Sequence, residues 1–349
     1  MKNIVERAQE IAQEVVEIAR QHKKLAIFSI GTTVGKLGKH HRFFPIRYSS
    51  NGVSGVANIH TDKEAEEITK AIDGVVDIIL VDAERKLENV DIEKIVKKNA
   101  SKSKVFTIKL NDMTVNAVDS LISQLIDIRD KKIAILGVGN IGSKLALKLV
   151  ERGAYVCISR RNGEKCKKIA NALNIIKPKQ TKVKVIDYHD NIKAAKDSDI
   201  IIGFTPGVPV VTKKMVESMN QSGIIIDGGL GTIFPDAIEL SNKLGIKVLR
   251  LDMRAGFSGE LVTLLETKNL IENIMGKKTI GEITLVAGGY IGKRGDVIVD
   301  NISKPMKVLG IADGIGGLLS DTSEFAFQLK KIKNIVEGIY SNPTKESIY

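Results

Sequence analysis

Apolar positions along the chain alternate between two spacings. Residues 3–22 place Ile4, Ala8, Ile11, Val15 and Ile18 at helical intervals, and the run LAIFSIG (25–31) is short and apolar enough to be a buried strand. The same logic predicts a helix over 62–73, with Thr61 or Asp62 as N-cap and Gly74 as stop, then a strand over 76–83, a short helix over 91–99 and a strand over 105–110. Between them, the Gly-, Ser- and base-rich segment 31–58 offers only a short strand at Pro45–Tyr48. A helix over 113–128, capped by Asn111 or Asp112, leads to a second series of strands at 132–137, 154–159, 183–187, 199–204, 223–227 and 246–251. Residues 281–300 read as a Gly-rich hairpin around Lys293-Arg294-Gly295. Residues 321–340 read as an amphipathic helix (Phe325, Leu329, Ile332, Val336, Ile339) that returns to the first domain. Alternating strands and helices argue for an α/β fold with parallel sheets. The expected division is an N-terminal α/β domain, 1–128, joined by the terminal helix, and a Rossmann-type doubly wound domain, 129–320, that carries the hairpin.

Composition narrows the function. A chain of 349 residues with 43% hydrophobic content can bury two cores and is not disordered. Lys and Arg number 53 against 41 Asp and Glu, a net charge of +12, which favours an anionic partner, although a solvated Lys-rich surface accounts for it equally. Trp is absent and aromatics make up 4%, so a base-stacking platform, and with it nucleic acid, is not expected. The two cysteines, Cys157 and Cys166, form neither a CxxC pair nor a metal set, and no metal is expected. Their scarcity suits a reducing cytoplasm. The N-terminal stretch carries acids throughout, unlike a signal peptide, and no apolar run approaches ~18 residues, so neither secretion nor a membrane span is expected.

The most specific signal is KKIAILGVGNIGSKLALKLVERGAYVCISRRN. Gly137, Gly139 and Gly142 complete a GxGxxG between a strand and a helix, with Asn140 and Ile141 opening that helix. The first glycine permits the tight turn, the second lets backbone approach a pyrophosphate, and the third lets helix and strand pack closely; the helix N-terminus attracts the anion. Where an NAD enzyme places an acid for the ribose, this chain has Ser159, Arg160 and Arg161. A hydroxyl and two guanidinium groups suit the 2′-phosphate of NADP, unless the arginines are merely surface charge. Thr205-Pro206-Gly207 and Asp227-Gly228 end two later strands, where a doubly wound sheet opens its ligand crevice.

This layout resembles the superfamily of two-domain dehydrogenases that includes shikimate dehydrogenase, methylene-tetrahydrofolate dehydrogenase and the amino-acid dehydrogenases. GVGNIGSKLALKLVERGA followed by SRRN is similar to the NADP-binding stretch of shikimate and methylene-tetrahydromethanopterin dehydrogenases. DSDIIIGFTPG and SGIIIDGG are similar to segments of the folate enzymes. The resemblance implies a substrate in the cleft between domains, bordered by the helix just ahead of the nucleotide domain. Shikimate dehydrogenases have an Asn-Thr-Asp-Gly run there, to which Asn111-Asp112 is a partial match; their Lys-bearing motif and the folate enzymes' Tyr-x-x-x-Lys have no counterpart. The subfamily and its substrate therefore stay open.

Hydride chemistry belongs to the nicotinamide, and the protein supplies position and a proton route. Lys109 and Asp112 are the candidate acid/base pair, with Asp112 as a simple helix N-cap the alternative. Thr32, Thr33 and Lys36, together with Ser49, Ser50 and Asn51, are donor-rich candidates for gripping an anionic substrate, and Arg254 is a further anion candidate. The expected activity is NADP-dependent hydride transfer to or from a small anionic metabolite by a homodimer. The alternatives are a C1 dehydrogenase acting on a methylene-pterin and a non-catalytic NADP sensor.

Overall fold

The computed structural model describes residues 3–32, 42–88 and 90–336. The chain divides into two compact units, Met1–Glu260 and Leu261–Tyr349.

The first unit contains two sheets. In the N-terminal one the strands β1 (Leu25–Gly31), β2 (Phe43–Tyr48), β3 (Gly52–Asn58), β4 (Ile78–Asp82) and β5 (Lys104–Ile108) lie in the order β2-β3-β1-β4-β5. All neighbours are parallel except the edge pair β2–β3. Helix α1 (Ile4–Gln21) starts at a capping box: the Asn3 side chain accepts from the Val5 N–H at 3.1 Å, and Glu6 accepts from the Asn3 N–H at 3.0 Å. It buries Ala8, Ile11, Ala12, Val15 and Ala19 against this sheet. Helix α2 (Asp62–Ile72) starts from Thr61, whose side chain accepts from the Glu64 N–H, and α3 (Ile92–Asn99) starts from Asp91. The strand β3 replaces part of the loop expected over 31–58. Its sequence GVSGVAN carries little bulk, yet every residue is buried, because α1 lies close against it: a Cβ on Gly55 would fall 2.7 Å from Ile11 Cγ2 and 3.1 Å from the Phe28 ring.

Helix α4 (Leu110–Leu125) begins three residues before the expected 113. Its cap is tertiary: the Leu110 and Asn111 N–H groups donate to Asp82 Oδ1 at 3.4 Å and Glu84 Oε2 at 3.0 Å, at the end of β4. Asn111 and Asp112 therefore lie inside the first turn, and neither is the N-cap. Val115, Val118 and Ile122 of α4 join the core of the second sheet.

That sheet comprises β6 (Lys132–Leu136), β7 (Tyr155–Ser159), β8 (Val185–Tyr188), β9 (Ile200–Gly203), β10 (Ile224–Asp227) and β11 (Lys247–Arg250) in the order β11-β10-β9-β6-β7-β8, all parallel. The chain runs outward from β6 to β8 and then resumes on the other side at β9. The order thus reverses between β6 and β9, where a doubly wound sheet opens its crevice. Strands such as IIIG and IIID are buried at every position, which is why their pattern is continuous rather than alternating. Helices α5 (Asn140–Glu151) and α6 (Gly163–Ile176) cover one face. Helix α7 (Asn191–Ala195), α8 (Lys213–Ser218) and α9 (Pro235–Lys243) cover the other.

After β11 the helix α10 (Arg254–Asn269) crosses α4 so closely that a Cβ on Gly256 would lie 2.3 Å from the Met113 carbonyl oxygen. Gly256→Ala is accordingly expected to cost about 2 kcal/mol through overpacking, measured as a lowered urea midpoint. An unchanged midpoint would contradict this contact.

The second unit holds β12 (Gly276–Ile280), β13 (Ile283–Ala287), β14 (Val297–Val299) and β15 (Val308–Ile311) in sequential order, with α11 (Ala326–Val336). Two expectations are corrected here. β13 and β14 pair in parallel, Leu285 opposite Val297, so 281–300 is not a hairpin; the hairpin is β12–β13. The terminal helix buries Ile332 and Val336 in one core with Ile283, Leu285 and Val299 of this sheet, so its apolar face is covered within its own unit. Amphipathicity announces that a helix face must be covered but not by what.

Candidate functional site

The loop between β6 and α5 shows what each glycine is for. Gly137 has φ +89°, a conformation that L side chains rarely adopt, and its N–H donates to the Ser159 carbonyl at 3.0 Å. A Cβ there would come within 2.9 Å of Thr205 Cγ2 and 3.1 Å of the Phe204 carbonyl carbon. Gly139, the N-cap of α5, faces open space, with nothing within 4 Å of its would-be Cβ. A Cβ on Gly142 would lie 3.4 Å from Ile135 Cγ2, where helix meets strand. No side chain caps α5, so its first N–H groups point into the space in front of Gly139. Asn140 and Ile141 form that first turn. An open cradle, uncapped donors and a helix dipole fit the pyrophosphate of a dinucleotide.

At the end of β7 the structure divides the three expected phosphate ligands. Ser159 is buried, and its hydroxyl donates to Asn191 Oδ1. It positions the turn instead of presenting a donor. Arg160 folds back over the glycine loop, Nη1 donating to the Val138 carbonyl at 3.1 Å. Arg161 is exposed.

The loops after β9 and β10 brace each other. The Gly207 N–H donates to Gly229 O at 3.1 Å, the Gly228 N–H to Gly203 O at 2.9 Å, and the Thr205 hydroxyl to Val208 O. Pro206 is exposed beside them. Asp227 accepts from the Gly231 N–H at 2.8 Å, the Thr232 N–H at 3.2 Å and the Thr232 hydroxyl at 2.8 Å. Burial pushes its carboxyl up, but these hydrogen bonds outweigh it and hold the group below the usual carboxylate range. Asp227 thus holds the loop that forms one wall of the crevice, and its oxygens are already committed there.

Facing the glycine loop, the C-terminal ends of β4 and β5 bring together a charge cluster. Lys109 and Lys144 both pair with Asp112, and Lys144 also lies 3.8 Å from Glu84. Lys144 belongs to α5, and the Asn111 amide donates to Asn140 Oδ1 at 3.4 Å, so the cluster is tied directly to the helix that follows the glycine loop. Burial pushes the Asp112 carboxyl up, but hydrogen bonds from Lys109 and Lys144 hold it below its ordinary value. The Asp112 hydrogen bond correspondingly raises Lys109, which keeps its proton on an exposed ammonium. Behind them lie three residues not anticipated from the sequence. Asp82 is fully buried, with Lys86 Nζ at 2.5 Å from Asp82 Oδ2 and 3.1 Å from Glu84 Oε2. Burial holds the Asp82 carboxyl above the usual range, with Lys86 pulling it back. The available signal was an acid at the end of an apolar strand with a lysine four residues on.

The anion-grip candidates separate. Thr32 sits at the C-terminal end of β1, the same edge as Asp82, and its buried hydroxyl has no partner among the described residues. Thr33 and Lys36 lie outside the described residues. Ser49, Ser50 and Asn51 form the β2–β3 turn, where the Ser49 hydroxyl donates to Gly52 O at 2.8 Å and Leu25 N–H donates to Asn51 O at 3.2 Å. Leu25 begins β1, so this turn is at the opposite edge of the sheet. The antiparallel β2 carries the chain back there, which removes these three from the crevice. Arg254 is exposed and paired with Asp252. Both cysteines are buried, and burial raises their thiols, which rules against a ready thiolate nucleophile. Among the described residues no three His, Cys, Asp or Glu are grouped to hold a metal ion, and no helix is long and apolar enough to cross a membrane.

Residues 132–228 match the family described as "NADP oxidoreductase coenzyme F420-dependent". The match runs from β6 to the end of β10 and so contains the cradle, the Ser159–Arg161 turn and the loop after β9. Glutamyl-tRNA reductase of Thermosipho melanesiensis is 31% identical over 107 residues, 31% of this chain and 27% of that protein. The chain thus matches about a quarter of that relative's length. Solved structures with a similar arrangement include a dipicolinate synthase chain from Bacillus halodurans (18% identity, TM-score 0.35, covering 69% of this chain and 97% of that one). Another is a chorismate mutase/shikimate 5-dehydrogenase fusion from Clostridium acetobutylicum (18%, TM-score 0.40, 70% and 97%). The second sheet of the first unit is thus a Rossmann-like doubly wound sheet whose residues 132–228 resemble an NADP-binding oxidoreductase domain.

Proposed function

We propose that the chain transfers hydride between NADP and a small anionic metabolite bound in the crevice between the two sheets of its first unit. One observation carries this: a cradle shaped for a pyrophosphate is linked through Lys144 and Asn140 to an acidic–basic cluster on the facing domain. Bound there, the nicotinamide supplies or accepts the hydride. The chain's own residues do the rest. Gly137, Gly139 and the α5 N-terminus hold the pyrophosphate, and Arg160 and Arg161 meet the ribose phosphate. Asp112, kept ionised, positions the ammonium groups of Lys109 and Lys144 toward the crevice, where they attract the substrate anion. In the reductive direction Lys109 gives its proton to the oxygen or nitrogen of the reduced bond and regains one from solvent, to which it is exposed. Asp112 is a positioning anion in this scheme rather than a base, because two ammonium groups stabilise its charge. Thr32, at the same strand edge, adds a hydroxyl for the substrate.

The test follows NADPH oxidation against a panel of oxo acids, imines and methylene-pterin or methenyl-pterin carriers. Turnover with one class is expected, and Lys109→Ala is expected to lower kcat about 100-fold, the usual worth of a positioned acid, with the dissociation constant for NADP unchanged. Turnover on a pterin carrier that survives Lys109→Ala would favour C1 transfer, which needs little acid/base help. Tight NADP binding with no turnover on any acceptor would overturn the enzymatic reading in favour of a sensor.

A further inference from the structure

The ribose end of the cofactor site has a second side, delivered by β8. β7 and β8 are parallel neighbours with Ser159 opposite Tyr188, so the residues that follow them, 160–163 and 189–191, leave the sheet side by side. The hydrogen bond from Ser159 to Asn191 ties the two segments together. The imidazole of His189 lies directly on Gly163, the first residue of α6: a Cβ on Gly163 would fall 1.6 Å from His189 Cε1 and 1.9 Å from Nδ1. Gly163 is not among the glycines with positive φ, so its backbone would accept another residue. The ring, not the turn, is what requires glycine here. Neighbouring acceptors are already used: Asp190 accepts from the Ile192 N–H at 2.8 Å, and Asn162 caps α6 by accepting from the Lys165 N–H at 2.9 Å. That leaves the exposed His189 and Arg161, with Arg160, around the uncapped N–H groups of Gly163 and Glu164.

We propose that His189 is a specificity-determining contact for the 2′-phosphate of the cofactor, its ring N–H donating to a phosphate oxygen held between Arg160, Arg161 and the start of α6. This rests on the NADP reading above. NAD lacks the group and gains nothing from the contact, so His189 discriminates between the two cofactors without touching the chemistry. Gly163 is the positioning residue that gives the ring its seat.

Calorimetric titration of the full chain with NADP and NAD, and with 2′,5′-ADP and 5′-AMP as fragments, tests this in wild type, His189→Ala and Gly163→Ala. The expected result is an approximately tenfold weaker NADP and 2′,5′-ADP affinity in both variants, the worth of one charge-assisted hydrogen bond, with NAD and 5′-AMP unchanged. Gly163→Ala keeps the imidazole but pushes it off its seat, so agreement between the variants separates position from mere presence. A wild-type protein that binds NADP no better than NAD would overturn the cofactor reading itself. A wild type that prefers NADP, with variants that lose NADP and NAD equally or lose neither, would overturn the role of His189 alone.

Discussion

Gly137→Ala is expected to weaken NADP binding at least about 100-fold and to cost about 3 kcal/mol of stability, from αL strain and overpacking together. The added Cβ meets two obstacles at once. Its φ of +89° disfavours any L side chain, and Thr205 and the Phe204 backbone already fill the space within 3.1 Å. Relaxation is blocked from both sides. The Gly137 and Val138 N–H groups are bonded to Ser159 O, and the Phe204 N–H is bonded to Leu136 O at 2.8 Å. The loop can accommodate the methyl only by moving the start of α5, the proposed anion site. Gly139→Ala makes the control: its Cβ meets nothing within 4 Å, so stability should hold while affinity falls, because the methyl stands in the proposed pyrophosphate cradle. Calorimetry for affinity and urea unfolding for stability measure the two effects. Undiminished NADP affinity in Gly139→Ala would sink the assignment of the cradle.

Lys86→Met is expected to destabilise the first unit by about 3–5 kcal/mol at neutral pH, the usual consequence of leaving a buried charge without its partner. Asp82 has 0% exposure and Lys86 only 8% of its side chain exposed, so water cannot replace the ammonium. The pH dependence has a definite sign. Burial raises the folded-state pKa of Asp82 even with Lys86 present, and removing Lys86 raises it further. Below the ordinary carboxylate value, near 4, Asp82 is protonated in both folded and unfolded chains and the penalty vanishes. As pH rises from there toward the raised folded value, the unfolded chain releases the proton first and stability falls by about 1.4 kcal/mol per unit. The variant should therefore lose much more at pH 7.5 than at pH 4, and Asp82→Asn in the same chain should recover most of the loss. An equal loss at both pH values would point to packing of the lysine stem instead. Because Asp82 and Glu84 also cap α4, a shift of that helix should accompany the loss, and kcat should fall with it.

The nucleotide half is readable from sequence because its signals are contiguous. The runs of isoleucine in β9 and β10, the GxGxxG of 137–142 and the helix stripe of α5 each lie within a dozen residues, and each arises from the geometry of a strand, a turn or a helix. The parallel doubly wound sheet follows from their alternation. The first domain is less legible. β3 escapes the pattern because bulk from α1 and β1 fills the space over it, a Cβ on Gly55 falling 2.7 Å from Ile11 Cγ2, so its own residues are small. The start of α4 falls earlier than its own residues suggest because its cap comes from Asp82, 28 residues before it.

The candidate site shows the same division. Lys109 and Asp112 are three residues apart on one helical turn, so their pairing follows from spacing alone. That Lys144 joins them and Lys86 backs them depends on how β4, α4 and α5 meet. Ser49 to Asn51 are equally suitable as ligands by residue type and lie at the wrong edge, because β2 runs antiparallel. Local composition and periodicity therefore determined most of the strands and helices, the glycine cradle and the basic turn beside it. Which carboxylates meet which ammonium groups was decided only by strand order and helix packing, because a charge acts on what lies within a few ångströms of it and not on what is near it along the chain.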